Sequence, residues 1–90
     1  MEFEWDEDKS RTNKIKHGID FDTAKQLWKD DSRVVIHTPY PLENRGILIG
    51  KVQKKLWTAV FTWRGKTIRI ISVRRARKKE ATLYGEKEIG

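Results

Sequence analysis

Leu56-Trp57-Thr58-Ala59-Val60-Phe61-Thr62-Trp63-Arg64-Gly65-Lys66-Thr67-Ile68-Arg69-Ile70-Ile71-Ser72-Val73 is the stretch on which the fold turns. Trp57, Ala59, Phe61 and Trp63 fall on one side of an extended chain, and Thr58, Val60 and Thr62 on the other. Gly65 lies in a short turn, Arg64-Gly65-Lys66, where a tight hairpin needs positive φ. Whether the loop is Arg64-Gly65 or Gly65-Lys66, cross-strand parity is the same. Ile68 and Ile70 join the tryptophan face; Arg69 and Ile71 join the threonine face. One face is therefore core, and the other is a pleated surface of threonines and small aliphatics carrying an arginine. Arg74, Arg75, Arg77, Lys78 and Lys79 follow at the mouth of a helix. From Arg64 to Lys79 there are eight basic residues and no acidic one, an arrangement suited to holding a polyanion.

Working outward, the chain of 90 residues suggests a single domain over residues 1–90, one that buries roughly 60–65% of its unfolded surface. With 37% hydrophobic residues and four tryptophans the composition is globular, although 37% is charged. The absence of cysteine excludes disulfides and thiolate metal sites and points to a reducing cytoplasm. Apolar runs are far short of the ~20 residues of a membrane span, and no signal-peptide pattern is visible. The net charge of +7 is unevenly spread. Residues 1–32 carry six Lys/Arg against nine Asp/Glu; residues 33–90 carry fourteen against four. The basic half coincides with the predicted sheet and last helix, which favours nucleic acid as the partner over membrane, there being no amphipathic apolar stripe.

Upstream, Glu2-Phe3-Glu4-Trp5 alternates as a short strand. Asp6 caps a helix running to about Lys16, stopped by His17-Gly18. Asp20 caps a second short helix in which Phe21, Ala24, Leu27 and Trp28 recur at three and four residues. Residues 33–37 and 47–52 read as strands, separated by a loop over residues 38–44 that two prolines make rigid. After Ala76 the chain is helical, with Ala81, Leu83 and Tyr84 inward and Gly85 weakening or ending the helix. The expected fold is α+β: a short strand, two N-terminal helices, a four-stranded antiparallel meander and a C-terminal helix, with the helices on one sheet face.

Taken together, Phe3-x-Trp5-Asp6-x-x-Lys9, Asn13, Lys16-His17-Gly18, Phe21-x-x-Ala24, Arg64-Gly65, Ile68-Arg69-Ile70-Ile71-Ser72-x-Arg74, Glu80 and Tyr84 resemble the BrnT family. These are toxin components of type II toxin–antitoxin systems, small ribonucleases with a RelE-like fold. The resemblance covers nearly the whole chain, in order. It implies an RNA-cleaving growth inhibitor neutralised by a cognate BrnA-like antitoxin, with DNA reached only indirectly through the antitoxin's own DNA-binding domain. One position departs from the family: an acidic residue often precedes the Arg-Gly turn, and here Trp63 stands there.

The chemistry fits without a metal or other cofactor. Attack by a 2′-hydroxyl needs an in-line phosphate, neutralisation of its growing charge, and proton transfer. Guanidinium groups supply the first two, because their planar fork matches phosphate oxygens. No metal constellation is visible: there is no cysteine, the two histidines are twenty residues apart, and the carboxylates gather in the other half. Arginine does not deprotonate, so Glu80, Tyr84 or a histidine must move protons, or RNA's own reactivity suffices.

Arg69, on the polar face of a central strand, is the leading phosphate contact. Arg74, where strand passes into helix, and Arg64, at the hairpin tip, are further catalytic candidates. Lys66 is read as RNA-binding, and Arg75, Arg77, Lys78 and Lys79 either as a phosphate-tracking patch or as a landing site for an acidic antitoxin segment. Glu80 is read either as a general base or as a salt-bridge partner of Arg74 or Arg77. Tyr84 is read as a base-stacking or proton-donating residue or as core, and Trp63 as core or a base-stacking ring near the tip. A non-catalytic nucleic-acid-binding module, and a pure partner-binding protein, are the other classes these features allow.

Overall fold

The computed structural model describes residues 1–38 and 44–89, the last four as helix backbone. The order is β1 (Glu2–Glu4), α1 (Glu7–His17), α2 (Phe21–Ala24), a 3-10 segment (Lys25–Lys29), β2 (Val34–His37), β3 (Arg45–Val52), β4 (Lys55–Arg64), β5 (Thr67–Arg75) and α3 (Lys78–Ile89). The proline loop expected over residues 38–44 lies, for residues 39–43, outside the described residues.

Both N-terminal helix boundaries follow from local chemistry. Asp6 Oδ1 accepts from the backbone N–H groups of Asp8 and Lys9 at 2.9 and 3.2 Å, and Gly18 ends α1 at φ 85° with its N–H on the Lys14 carbonyl. Asp20 caps α2 through the Thr23 N–H at 2.8 Å. The second helix is one α turn continued by the 3-10 segment rather than a uniform helix, and its apolar residues Phe21, Ala24 and Leu27 are buried.

The sheet differs from the expected meander in one strand and in the placement of one helix. It has five strands in the order β1-β5-β4-β3-β2. The β2–β3–β4–β5 ladders are antiparallel, and β1 adds to β5 in parallel, Glu4 opposite Arg69. The sheet is therefore mixed and five-stranded, not four-stranded and antiparallel. Beyond the short β1, Asn13 of α1 completes the edge of β5: its side chain donates to the carbonyls of Val73 and Ile19, both at 2.8 Å, and accepts from the Val73 N–H at 3.2 Å. A buried amide thus replaces a ladder neighbour and satisfies backbone groups that burial would otherwise strand.

The core lies on the tryptophan face, where Phe21, Leu27, Leu48, Trp57, Phe61 and Ile70 pack with their neighbours. Ile49, Thr58 and Tyr84 are buried outside that cluster. Their place is the opposite face, where Val34, Ile49, Thr58 and Arg74 share one transverse row. There α3 covers them, its Glu80 bonded to Thr58 and Arg74. The expectation of all helices on one face is thus corrected: Ile49 would otherwise leave an apolar strand residue in water. Gly85 does not end α3, which continues to Ile89.

Strict alternation also fails at one point. Val60 pairs with Ser72 but Phe61 pairs with Ile70, leaving Ile71 as an extra residue in β5. The strand extends to Arg75, so Arg74 belongs to β5 and not to a strand-to-helix link.

Candidate functional site

Residues paired across strands share a face, so the threonine face can be assembled row by row. One row is Glu4, Arg69, Thr62 and Arg45. The row toward the hairpin holds Glu2, Thr67 and Arg64. On the other side of it lie Ser72, Val60 and Ile47, and then the row covered by α3. Gly65 makes the tip compact: at φ 60°, in the first central position of a two-residue turn between paired Arg64 and Thr67, it takes the conformation that glycine adopts most easily.

At the end that no described helix covers, two guanidinium groups converge on one carboxylate oxygen. Glu4 Oε2 accepts from Arg69 Nη1 at 2.7 Å and from Arg64 Nη1 at 3.2 Å. The Arg69 side chain is 32% exposed and that of Glu4 36%, so the pair faces solvent. The Arg69 hydrogen bond, the largest influence, holds the Glu4 carboxyl below its ordinary value against a smaller opposing effect of burial, with Arg64 assisting. Two forks aimed at one anionic oxygen from rigid strands are an anion seat, in which Glu4 supplies the anion.

At the other end Arg74 meets Glu80 of α3 in a bidentate pair, Nη1–Oε1 and Nη2–Oε2 both at 2.8 Å. Glu80 Oε1 also accepts from Thr58 Oγ1 at 2.9 Å and from the Arg77 N–H at 2.7 Å. Glu80 therefore caps the first turn of α3 and ties it to the sheet. The Arg74 fork, first, and the Arg77 and Thr58 donors, less strongly, outweigh burial and pull the Glu80 carboxyl down to about 2. The same contact raises Arg74.

The structure thus divides the expected site. Arg64 and Arg69 meet at Glu4, and Arg74 meets Glu80; on the ladder Arg69 and Arg74 pair with Thr62 and Thr58, roughly 13 Å apart along the backbone at ~3.3 Å per residue, and each is engaged by its own carboxylate. Tyr84 is buried and donates to Asp30 Oδ2 at 2.8 Å, a tether from α3 to the end of the sheet. Burial is the largest influence on Asp30 and pushes its carboxyl up, but the N–H groups of Lys51 and Ser32 and the Tyr84 hydroxyl together bring it below its ordinary value. Lys66, Arg77, Lys78 and Lys79 are exposed, the first at the hairpin tip and the others at the start of α3. Arg75, paired with Trp57, lies on the opposite face, its guanidinium 5.5 Å from that ring centroid. Trp63 is also on that opposite face, stacked on His37 at 4.7 Å and 7°.

Glu4 and Arg45 were not singled out in the sequence. The signal for Glu4 was its parity against Phe3 and Trp5, both packed on the core; what was missing was the partner of β1. Arg45 shares the parity of Ile47 and Ile49.

Among the described residues no group of three or more His, Asp or Glu side chains is arranged to hold a metal ion, and no helix is long and apolar enough to cross a membrane. What the fold and the face define is a small basic α+β protein with an anion seat on a sheet face that no described helix covers there. Residues 5–80 match the family model described as the ribonuclease toxin BrnT of type II toxin–antitoxin systems, and the chain belongs to that family. Membership makes it a toxin component whose substrate is RNA and whose partner is an antitoxin. Comparison with curated proteins finds no match.

Proposed function

We propose that this chain is a RelE-like endoribonuclease that cleaves RNA without a metal ion, stopping translation and growth, and that a BrnA-like antitoxin neutralises it in the cytoplasm. The observation that carries the reading is the convergence of Arg69 and Arg64 on a single carboxylate oxygen at 2.7 and 3.2 Å. A carboxylate oxygen and a non-bridging phosphate oxygen ask for the same donors. On this reading the scissile phosphate enters the seat, Arg69 and Arg64 hold it, and their charges offset the negative charge that grows on phosphorus. Arg45, in the same row, and the exposed cations of the hairpin tip and of α3 hold flanking phosphates. Arg74 is a strand-to-helix brace that reaches substrate only where Glu80 leaves a donor free.

The antitoxin, on this reading, covers the basic face with carboxylates, carries the DNA-binding domain of the pair, and brings the complex to its own promoter. RNA and antitoxin then compete for one surface.

The experiment is cleavage of naked RNA by the purified chain in excess chelator, with and without antitoxin. Cleavage in chelator that antitoxin suppresses supports the reading. Salt-sensitive binding with no cleavage contradicts it and favours a non-catalytic binding module, a reading supported by Glu80 and Tyr84 being engaged in structural bonds.

A further inference from the structure

A ribonuclease that uses the 2′-hydroxyl needs a proton acceptor beside its phosphate seat, and most titratable candidates are occupied or misplaced. Glu80 has both oxygens in the Arg74 fork and two further donors on Oε1. Tyr84 is buried with its hydroxyl on Asp30. His37 stacks on Trp63 across the sheet, and His17 ends α1.

Glu4 differs in each respect. It stands on a strand in register with Arg69, on the same face, and is over one-third exposed. Its Oε2 takes both arginine donors, and among the described residues no hydrogen bond reaches Oε1. Phe3, beside it, packs edge-on against Trp28 with ring centroids 5.1 Å apart, which fixes β1 and so the direction of Glu4. One oxygen is thus held at the anion seat while the other carries no hydrogen bond among the described residues.

We propose that Glu4 is the general base of the cleavage reaction, an assignment that rests on the ribonuclease reading above. With a phosphate oxygen on the arginine donors, Glu4 takes the proton of the adjacent 2′-hydroxyl. The 2′-oxygen forms a bond to phosphorus as the bond from phosphorus to the 5′-oxygen breaks. The leaving oxygen takes a proton from solvent water, giving a 2′,3′-cyclic phosphate end and a 5′-hydroxyl end, and Glu4 returns its proton to solvent. The charged groups facing Glu4 are Arg69 of β5 and Arg64 of β4. Both favour the ionised carboxylate, so the acceptor is ready at neutral pH and is lost only in acid.

The test compares wild type, Glu4→Gln, Glu4→Asp and, as a same-strand control, Glu2→Gln. The readouts are kcat on an RNA oligonucleotide from about pH 3 to about pH 8, affinity for a 2′-deoxy analogue, and thermal melting. Glu4→Gln is expected to lower kcat about a hundredfold or more, to keep analogue affinity within about threefold, and to flatten the acid limb of the pH profile. Glu4→Asp keeps that limb with reduced kcat, and Glu2→Gln behaves as wild type. A kcat for Glu4→Gln within about threefold of wild type, or above it, overturns the assignment. So does an unchanged acid limb, or a loss of affinity or melting temperature that matches the loss of kcat, since that marks a structural counter-ion. Wild type that does not cleave RNA overturns the ribonuclease reading itself, and the assignment with it.

Discussion

Arg69 and Arg74, five residues apart on β5, present their side chains from the same face of the sheet. Odd spacing puts them on opposite faces of a regular strand. The extra residue Ile71 resolves this: Arg69 pairs with Thr62 and Arg74 with Thr58, two positions of equal parity on β4. The bulge lets Ile70 and Val73 both point into the core while both arginines point out. It also leaves the two guanidiniums with different tasks, Arg69 on an open face beside Glu4 and Arg74 locked to α3.

The lock predicts a pH signature. Glu80 is depressed from 4.5 to about 2 in the folded protein, so the unfolded chain binds more protons in acid. Its contribution, up to about 3 kcal/mol, is present in full above about pH 4.5 and disappears as pH falls through about 2. Asp20 and Asp30 are also depressed, so the difference between wild type and Glu80→Gln isolates Glu80. Glu80→Gln is expected to cost about 1–3 kcal/mol at neutral pH and to narrow that gap progressively in acid. Urea unfolding of both proteins at several pH values checks this; a pH-independent difference contradicts it.

Packing on the other face predicts a steric effect. A Cβ at Gly46 stands 2.6 Å from Phe61 Cζ and 2.8 Å from Trp63 Cη2. Phe61 is buried and wedged edge-on against both Trp28 and Trp63, so the rings have little room to retreat. Gly46→Ala is expected to cost about 1–3 kcal/mol, seen as a drop in melting temperature of several degrees.

Much of this architecture was legible locally. Asp6, Gly18 and Asp20 mark helix ends by their own hydrogen bonds, and the Leu56–Val73 hairpin declares its two faces by alternation. What was hidden depends on contacts between distant residues. Nothing in Glu2-Phe3-Glu4 says that it pairs in parallel with residues 67–69, so the fifth strand and the meeting of Glu4 with Arg69 were out of reach. The bulge carries no glycine or other marker, because Ile71 is an ordinary strand residue. The side of the sheet taken by α3 follows from Ile49, Thr58 and Arg74 lying in one row, which requires the register of three ladders.

Charge predicts salt dependence. RNA affinity is expected to fall by roughly 0.7 log units per log of salt for each phosphate contacted on single strands. Removing an exposed cation such as Arg77 is expected to lower that slope by about 0.7, without sequence preference. Fluorescence anisotropy across a salt series measures it; a slope near zero removes the polyanion reading.

The central claim is that Arg69 holds the scissile phosphate, and cleavage by Arg69→Ala tests it most directly. The Arg69–Glu4 pair is partly exposed, so Arg69→Ala is expected to leave the fold and its melting temperature nearly unchanged. Cleavage is nevertheless expected to fall about a hundredfold or more. Arg69→Lys is not expected to restore it, since a point charge does not reproduce the fork. Arg77→Ala serves as a surface-charge control. The account predicts folded Arg69 variants with cleavage far below that control; cleavage by Arg69→Ala equal to the control or to wild type contradicts it.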